Sequence, residues 1–108
     1  MNIMRIGTQF LDTEVMNIPD EPELNLRALQ KLVGGYIESC PLAQLREHGI
    51  LLLANEEGLL KGLEPNKNLY PFFFVGQLVA VGFDGDEFTG LGIEQILYLA
   101  DWLAKLID

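Results

Sequence analysis

The chain has 108 residues, 49% hydrophobic and 21% charged, and its sixteen Asp and Glu against seven Lys and Arg give a formal net charge of −9. That length and apolar content exclude disorder and fit a single domain, residues 1–108, built on one core. The acid surplus repels phosphates and anionic lipid, so direct binding to nucleic acid or a membrane is disfavoured and a basic protein partner is favoured.

Cys40 is the one cysteine, so no internal disulfide is expected. The opening residues MNIMRIGTQF lack the apolar run of a cleavable signal. The longest apolar stretches, Ile50–Ala54 and Phe72–Val75, fall far short of the roughly 20 residues that a membrane span requires. These features predict a cytoplasmic location.

Taken in order, Met1–Ile18 alternates loosely and predicts two short strands, Asn2–Thr8 and Thr13–Ile18, paired around Leu11-Asp12. Pro19–Glu23 (PDEPE) reads as a connector. Asn25 suits the N-cap of a short helix over Leu26–Val33, with Leu26, Leu29, Leu32 and Val33 on one face. Gly34-Gly35 stops it, because glycine enters the left-handed C-cap conformation without steric cost. Tyr36–Cys40 predicts a strand ended by Pro41, and Leu42–His48 reads either as a loop or as a single helical turn. Ile50–Ala54 is a buried strand by its unbroken aliphatic run. Asn55-Glu56-Glu57-Gly58 reads as a hairpin turn in which Asn55 and Gly58 tolerate positive φ, and Leu59-Leu60 is expected to open a returning strand.

Leu63–Leu69 is loop-like, and Phe72–Val75 and Gln77–Phe83 predict two further strands about a bend at Gly76. After the turn Asp84-Gly85-Asp86-Glu87, the segment Gly92–Ile107 carries the clearest helical pattern. Ile93, Ile96, Leu97, Ala100, Leu103, Ala104 and Ile107 form the stripe expected to face the core. The predicted class is α+β: a mostly antiparallel sheet of five to six short strands, one short helix, and a longer C-terminal helix packed on it.

Three strings in this order and spacing resemble a known family. They are Leu29–Glu38 with its double glycine, Asn55–Gly58 followed by Lys61-Gly62-Leu63 and Pro65-Asn66, and Gly76–Gly82 leading through Asp86–Thr89 to Glu94–Ile96. From about Leu24 to Ile96 the chain resembles the domain of unknown function 3846. Gly90-Leu91-Gly92 stands where the resemblance leads one to expect a capping Ser or Thr before Glu94, and Leu42–Gly49 looks longer than usual. The resemblance implies a setting among phages, plasmids and the bacteria that carry them, with the host cytoplasm as the location. It implies no activity, and no catalytic or ligand residues.

The reactive side chains are sparse. Cys40 and His48 are each unique, with no triad signature around them, and read as a small apolar thiol and a solvated ring. Two such ligands cannot make a zinc site, and Asp84-Gly85-Asp86-Glu87 lacks the alternating acids and distal Glu of a calcium loop. No metal, cofactor or catalytic residue is therefore assigned. A polar cluster of Glu56, Glu57, Lys61 and Asn66, serving a small ligand or hydrolysis, is the alternative to a non-catalytic binding protein.

Partner-binding residues are predicted instead. Asn68–Asp108 holds six acids against Lys105 alone, a distribution suited to a basic groove. Glu56, Glu57, Asp84, Asp86 and Glu87 supply the charge. On the last helix, Tyr98, Leu99, Trp102 and Leu106 form a second apolar ridge, either laid deep on the sheet or presented to a partner, with Tyr98 and Trp102 as anchors. A homodimer through that helix is the structural variant of this reading. The Tyr70–Phe74 aromatics need cover from the core or from another chain. The sharpest form of the prediction is an anti-defence inhibitor, offering carboxylates where a nuclease or CRISPR effector expects phosphates.

Overall fold

The structure, a computed structural model, describes residues 1–106. Its elements in chain order are β1 (Asn2–Ile6), β2 (Thr13–Asn17), α1 (Pro22–Val33), β3 (Ile37–Cys40), α2 (Ala43–Arg46), β4 (Ile50–Asn55), β5 (Leu78–Asp84), β6 (Glu87–Thr89) and α3 (Ile93–Leu106), with a 3-10 turn at Lys67–Leu69. Among the described residues the strands form one antiparallel sheet, ordered β2-β1-β5-β4-β3, with β6 beside the C-terminal half of β5. Ile107 of the predicted stripe lies outside the described residues.

The aliphatic runs of β4 and β5 occupy the sheet centre because both of their faces are covered, which removes any need for polar alternation. Leu78 and Ala80 of β5 join Met4, Ile6, Leu52, Leu99 and Leu103 beneath α2 and α3. Val79 and Val81 point the other way, to Ile3, Leu53, Leu29 and Val33 beneath α1. The result is a sheet sandwiched between helices, which is α+β as predicted, with the C-terminal helix packed on it.

Helix α1 is longer than its sequence pattern predicts. Pro22 supplies a pre-set φ at a position whose N–H would be orphaned anyway. Asn25 is not the N-cap: its backbone N–H already donates to the Glu21 carbonyl, and its side chain is buried. Gly34, at φ +84°, ends the helix as expected. Its neighbour in space, Asn55, donates from Nδ2 to the Val33 carbonyl at 3.2 Å and accepts from the Glu57 N–H at 2.8 Å. Asn55 thus serves the end of α1 and not a positive-φ turn, and in that segment Gly62 carries the positive φ in place of Gly58.

Two predicted strands are absent. Leu59-Leu60 lies in a helical turn, where the Lys61 N–H donates to the Glu57 carbonyl at 2.9 Å. Phe72–Val75 is irregular apart from a bridge between Pro65 and Val75. Both segments are apolar enough to be strands, but β4 and β5 already have partners on each side. In exchange, β6 forms a hairpin with β5, turning on Gly85 at φ +59°.

The irregular arm is held by two asparagines. Buried Asn66 donates from Nδ2 to the carbonyls of Ile6 (3.0 Å) and Gly76 (2.9 Å), and accepts from the Asn68 N–H at 3.1 Å. Asn68 donates to the carbonyls of Gly7 and Gln9, both at 2.8 Å, and accepts from the Leu11 N–H at 2.8 Å. Leu11 is thereby held at φ +66°, a conformation that leucine adopts only under constraint.

Helix α3 begins without a capping Ser or Thr, and Gln95 does the work from the third position. Its Oε1 accepts from the Gly92 N–H at 2.8 Å, while Nε2 reaches the carbonyls of His48 and Gly49 at 3.0 Å each. Replacing Asn66 with Ala leaves two buried carbonyls and an N–H unpaired, so Asn66→Ala is expected to lower unfolding free energy by about 3 kcal/mol. Urea denaturation checks this, with exposed Lys67→Ala expected to stay within about 0.5 kcal/mol of wild type.

Candidate functional site

Each sheet face is left partly bare by its helices, and each bare region forms a concavity. Beside α1, a groove of about 530 Å³ runs over the β3–β4 end of the sheet to the β5–β6 hairpin. Strand alternation builds it: Leu51 and Phe83 point to this face, and Phe88 stands directly across the hairpin from Phe83. Tyr36, 70% exposed, stands at the rim, and Glu56, Asp86 and Glu87 border the groove, Glu87 from its place across the hairpin from Asp84. The groove already holds one cation, since the Arg46 guanidinium sits 5.5 Å from the Phe83 ring centroid.

The second concavity, about 730 Å³, lies on the opposite face between α3, the β1–β2 connection and the Tyr70–Phe74 arm. Its wall is apolar: Phe10, Leu11, Phe72, Phe73 and Leu103 line it, and Lys67 is its one charged residue among those described. The Tyr70–Pro71 peptide is cis.

The predicted site residues divide between these places. Glu56, Asp86 and Glu87 come together on the groove. Glu57 is fixed through its backbone to Asn55, and Asp84 lies on β5 with its side chain alternating away from Phe83. Tyr98 and Trp102 are on the other face, where both pack within the fold and Tyr98 stays half-buried. The Trp102 indole donates to Gln44 Oε1 at 2.9 Å and its ring is buried, while Tyr98 stacks on His48 at a centroid distance of 3.6 Å. The helix stripe is rotated: Leu103 and half-buried Ile96 face the core as expected, and the other described members do not. Leu99, Trp102 and Leu103 are the buried residues, and Ile93, Leu97, Ala100 and Ala104 face solvent.

The polar cluster of Glu56, Glu57, Lys61 and Asn66 does not assemble, because Asn66 opens onto the α3-side cavity and Glu56 onto the α1-side groove. Among the described residues no three His, Cys, Asp or Glu side chains are grouped to hold a metal ion, and no helix is long and apolar enough to cross a membrane. Cys40 and His48 have separate partners, the Glu38 carbonyl at 3.9 Å and the Tyr98 ring.

Phe83, Phe88, Tyr36 and Arg46 escaped the sequence reading. One signal for them exists: Phe-Asp-Gly-Asp-Glu-Phe, residues 83–88, is symmetric about a two-residue turn, which places its aromatics opposite each other.

An antiparallel sheet layered between α1 and the α2–α3 pair, with a groove on one face and a cavity on the other, defines a small α+β domain. Residues 4–104, from the first strand to the last helix, match one family model, and the chain belongs to the family described as Domain of unknown function (DUF3846). No curated protein and no solved structure matches it.

Burial, assisted by the Glu38 carboxylate, pushes the Cys40 thiol up to about 11. At neutral pH the thiolate is therefore scarce. Alkylation of Cys40 is expected to accelerate about tenfold per pH unit from neutrality and to level off only near pH 11, whereas an unperturbed thiol plateaus above its ordinary value of about 8.5. Stopped-time labelling followed by mass spectrometry reads that profile.

Proposed function

We propose that this domain is a non-catalytic protein-binding module that holds a basic segment of its partner in the groove beside α1. The observation that carries the reading is the convergence of Glu56, Asp86 and Glu87 on a groove floored by Phe83 and Phe88. Carboxylates on an aromatic floor suit lysine and arginine, whose stems cover apolar surface while the cationic heads meet acids or ring faces. Arg46 over Phe83 is an internal example of that contact, made by the chain's own guanidinium. Tyr36 extends the ring surface at the rim for a second one.

Net charge supports the same partner at longer range. At −9 the chain attracts a basic protein before contact and raises the association rate, an effect that added salt removes. Proteins that hold nucleic acid present such basic surfaces, and the carboxylate-lined groove offers them charge where phosphate normally sits. An inhibitor of a host defence nuclease is the sharpest form of this proposal, in keeping with the mobile-element setting that the family resemblance implies.

A lysine- and arginine-rich peptide with interspersed aromatics is the probe. It is expected to bind at low ionic strength and to weaken steeply as sodium chloride rises. The triple variant Glu56→Gln, Asp86→Asn, Glu87→Gln is expected to lose about tenfold in Kd, since each exposed ion pair contributes up to about 1 kcal/mol. Fluorescence anisotropy measures both. An affinity unaltered in the triple variant, or no binding at low salt, overturns the reading.

A further inference from the structure

The large apolar side chains that remain exposed are not scattered. Among the described residues thirteen are exposed, and eight of them belong to the α3 side: Phe10, Leu11, Val15, Tyr70, Phe72, Phe73, Ile93 and Leu97. The cavity joins five of these, Phe10, Leu11, Tyr70, Phe72 and Phe73, to α3 through Ala100 and Ala104, which line its wall. Ile93, Leu97, Ala100 and Ala104 recur at helical spacing and form one outward ridge, two of its members small enough for another backbone to approach closely.

We infer that this face is where two copies of the chain pair, α3 against α3 about a two-fold axis, with the Phe10 and Phe73 edge of each copy entering the cavity of the other. Charge selects the occupant. In a two-fold contact each patch meets itself, so a chain of net charge −9 can pair with its own copy only through a face with little unbalanced charge. This face meets that condition. Among the described residues Lys67 is the one charged residue lining the cavity, and two of the acids adjoining the patch are paired: Asp12, next to Leu11, with Arg5 at 2.7 Å, and Asp101, one turn from Leu97, with Lys105 at 2.9 Å, which leaves Glu94 at the Ile93 end as the acid opposite in sign to Lys67. A basic partner gains nothing from such a surface and is better served by the groove.

A stable pair buries about 800 Å² from each copy, about one eighth of the 6420 Å² that the chain exposes. The cavity and the α3 ridge are contiguous, so one patch supplies both the ridge-to-ridge contact and the aromatic insertion.

Pairing through α3 also has a consequence for binding. The groove lies on the α1 face of the sheet, so a pair carries its two grooves on its outer sides, where both remain open to one partner with two basic segments. The pairing itself does not depend on what the groove holds.

Sedimentation velocity over a micromolar concentration series tests the inference, comparing the native chain with Leu97→Glu/Ala100→Glu. Both positions are exposed, so the variant keeps its fold, and circular dichroism with a urea midpoint verifies this. The native chain is expected to shift from one to two chain masses as concentration rises, and the variant to stay at one mass throughout. A native chain that is monomeric at every concentration overturns the inference, as does a pair that survives in the double variant. A monomer that native mass spectrometry finds carrying a small apolar molecule assigns the cavity to a ligand and equally overturns it. The basic peptide is measured in parallel: the double variant is expected to bind it with the native per-site Kd, so failure of pairing and failure of the groove reading are separately visible.

Discussion

A helix is about 10 Å wide and strands lie about 4.8 Å apart, so one helix covers about two strands. That mismatch governs this domain. Its sheet is five strands across, with β6 added at one end, and α1 alone lies on one face. On the other face α3 is assisted only by the single turn of α2 and the 3-10 turn at Lys67–Leu69. The central strands β4 and β5 receive cover on both sides and become uniformly apolar. The margins do not, and the groove and the cavity are what remains there.

The two uncovered regions differ because the strands and turns that border them differ. The β3–β4 margin is flanked by the acidic turns at Glu56-Glu57 and Asp84–Glu87, so its apolar floor is ringed by carboxylates. The β1–β2 margin is flanked by Phe10-Leu11 and the Tyr70–Phe74 arm, so it is apolar to its edge. One sheet therefore separates a charged concavity from a neutral one by its own thickness, so the two surfaces do not overlap.

The centre of the fold was legible in the sequence because burial on both faces writes itself as unbroken runs, Ile50–Ala54 and Leu78–Val81. Gly34 was legible because a helix end at positive φ has few alternatives to glycine. The Tyr70–Val75 arm was not: it has the composition of a strand, yet the central strands β4 and β5 are already paired on both sides and its one bridge is Pro65 to Val75. Helix α3 shows the limit most clearly. Its residues are apolar around most of the circumference, so periodicity identifies a helix without fixing its rotation. Gln44 and His48, which hold Trp102 and Tyr98, set that rotation, and nothing in their own sequence neighbourhood marks them as partners. Half of the groove was legible too, as acidic turns, while its aromatic floor required the β5–β6 register.

Leu11 ties local geometry to the apolar face. A leucine at φ +66° costs about 1–2 kcal/mol that a glycine would not incur. Asn68 spends three hydrogen bonds on holding that turn, and Asn66, three more, anchors the segment that carries Asn68. Such an investment in a surface connection leaves a large side chain 68% exposed at the mouth of an apolar cavity. Hairpin closure alone does not account for it, since a glycine closes the turn without that strain. The pairing inferred above would account for it, because the strain would then be offset by burial of Leu11 and Phe10 against the second copy.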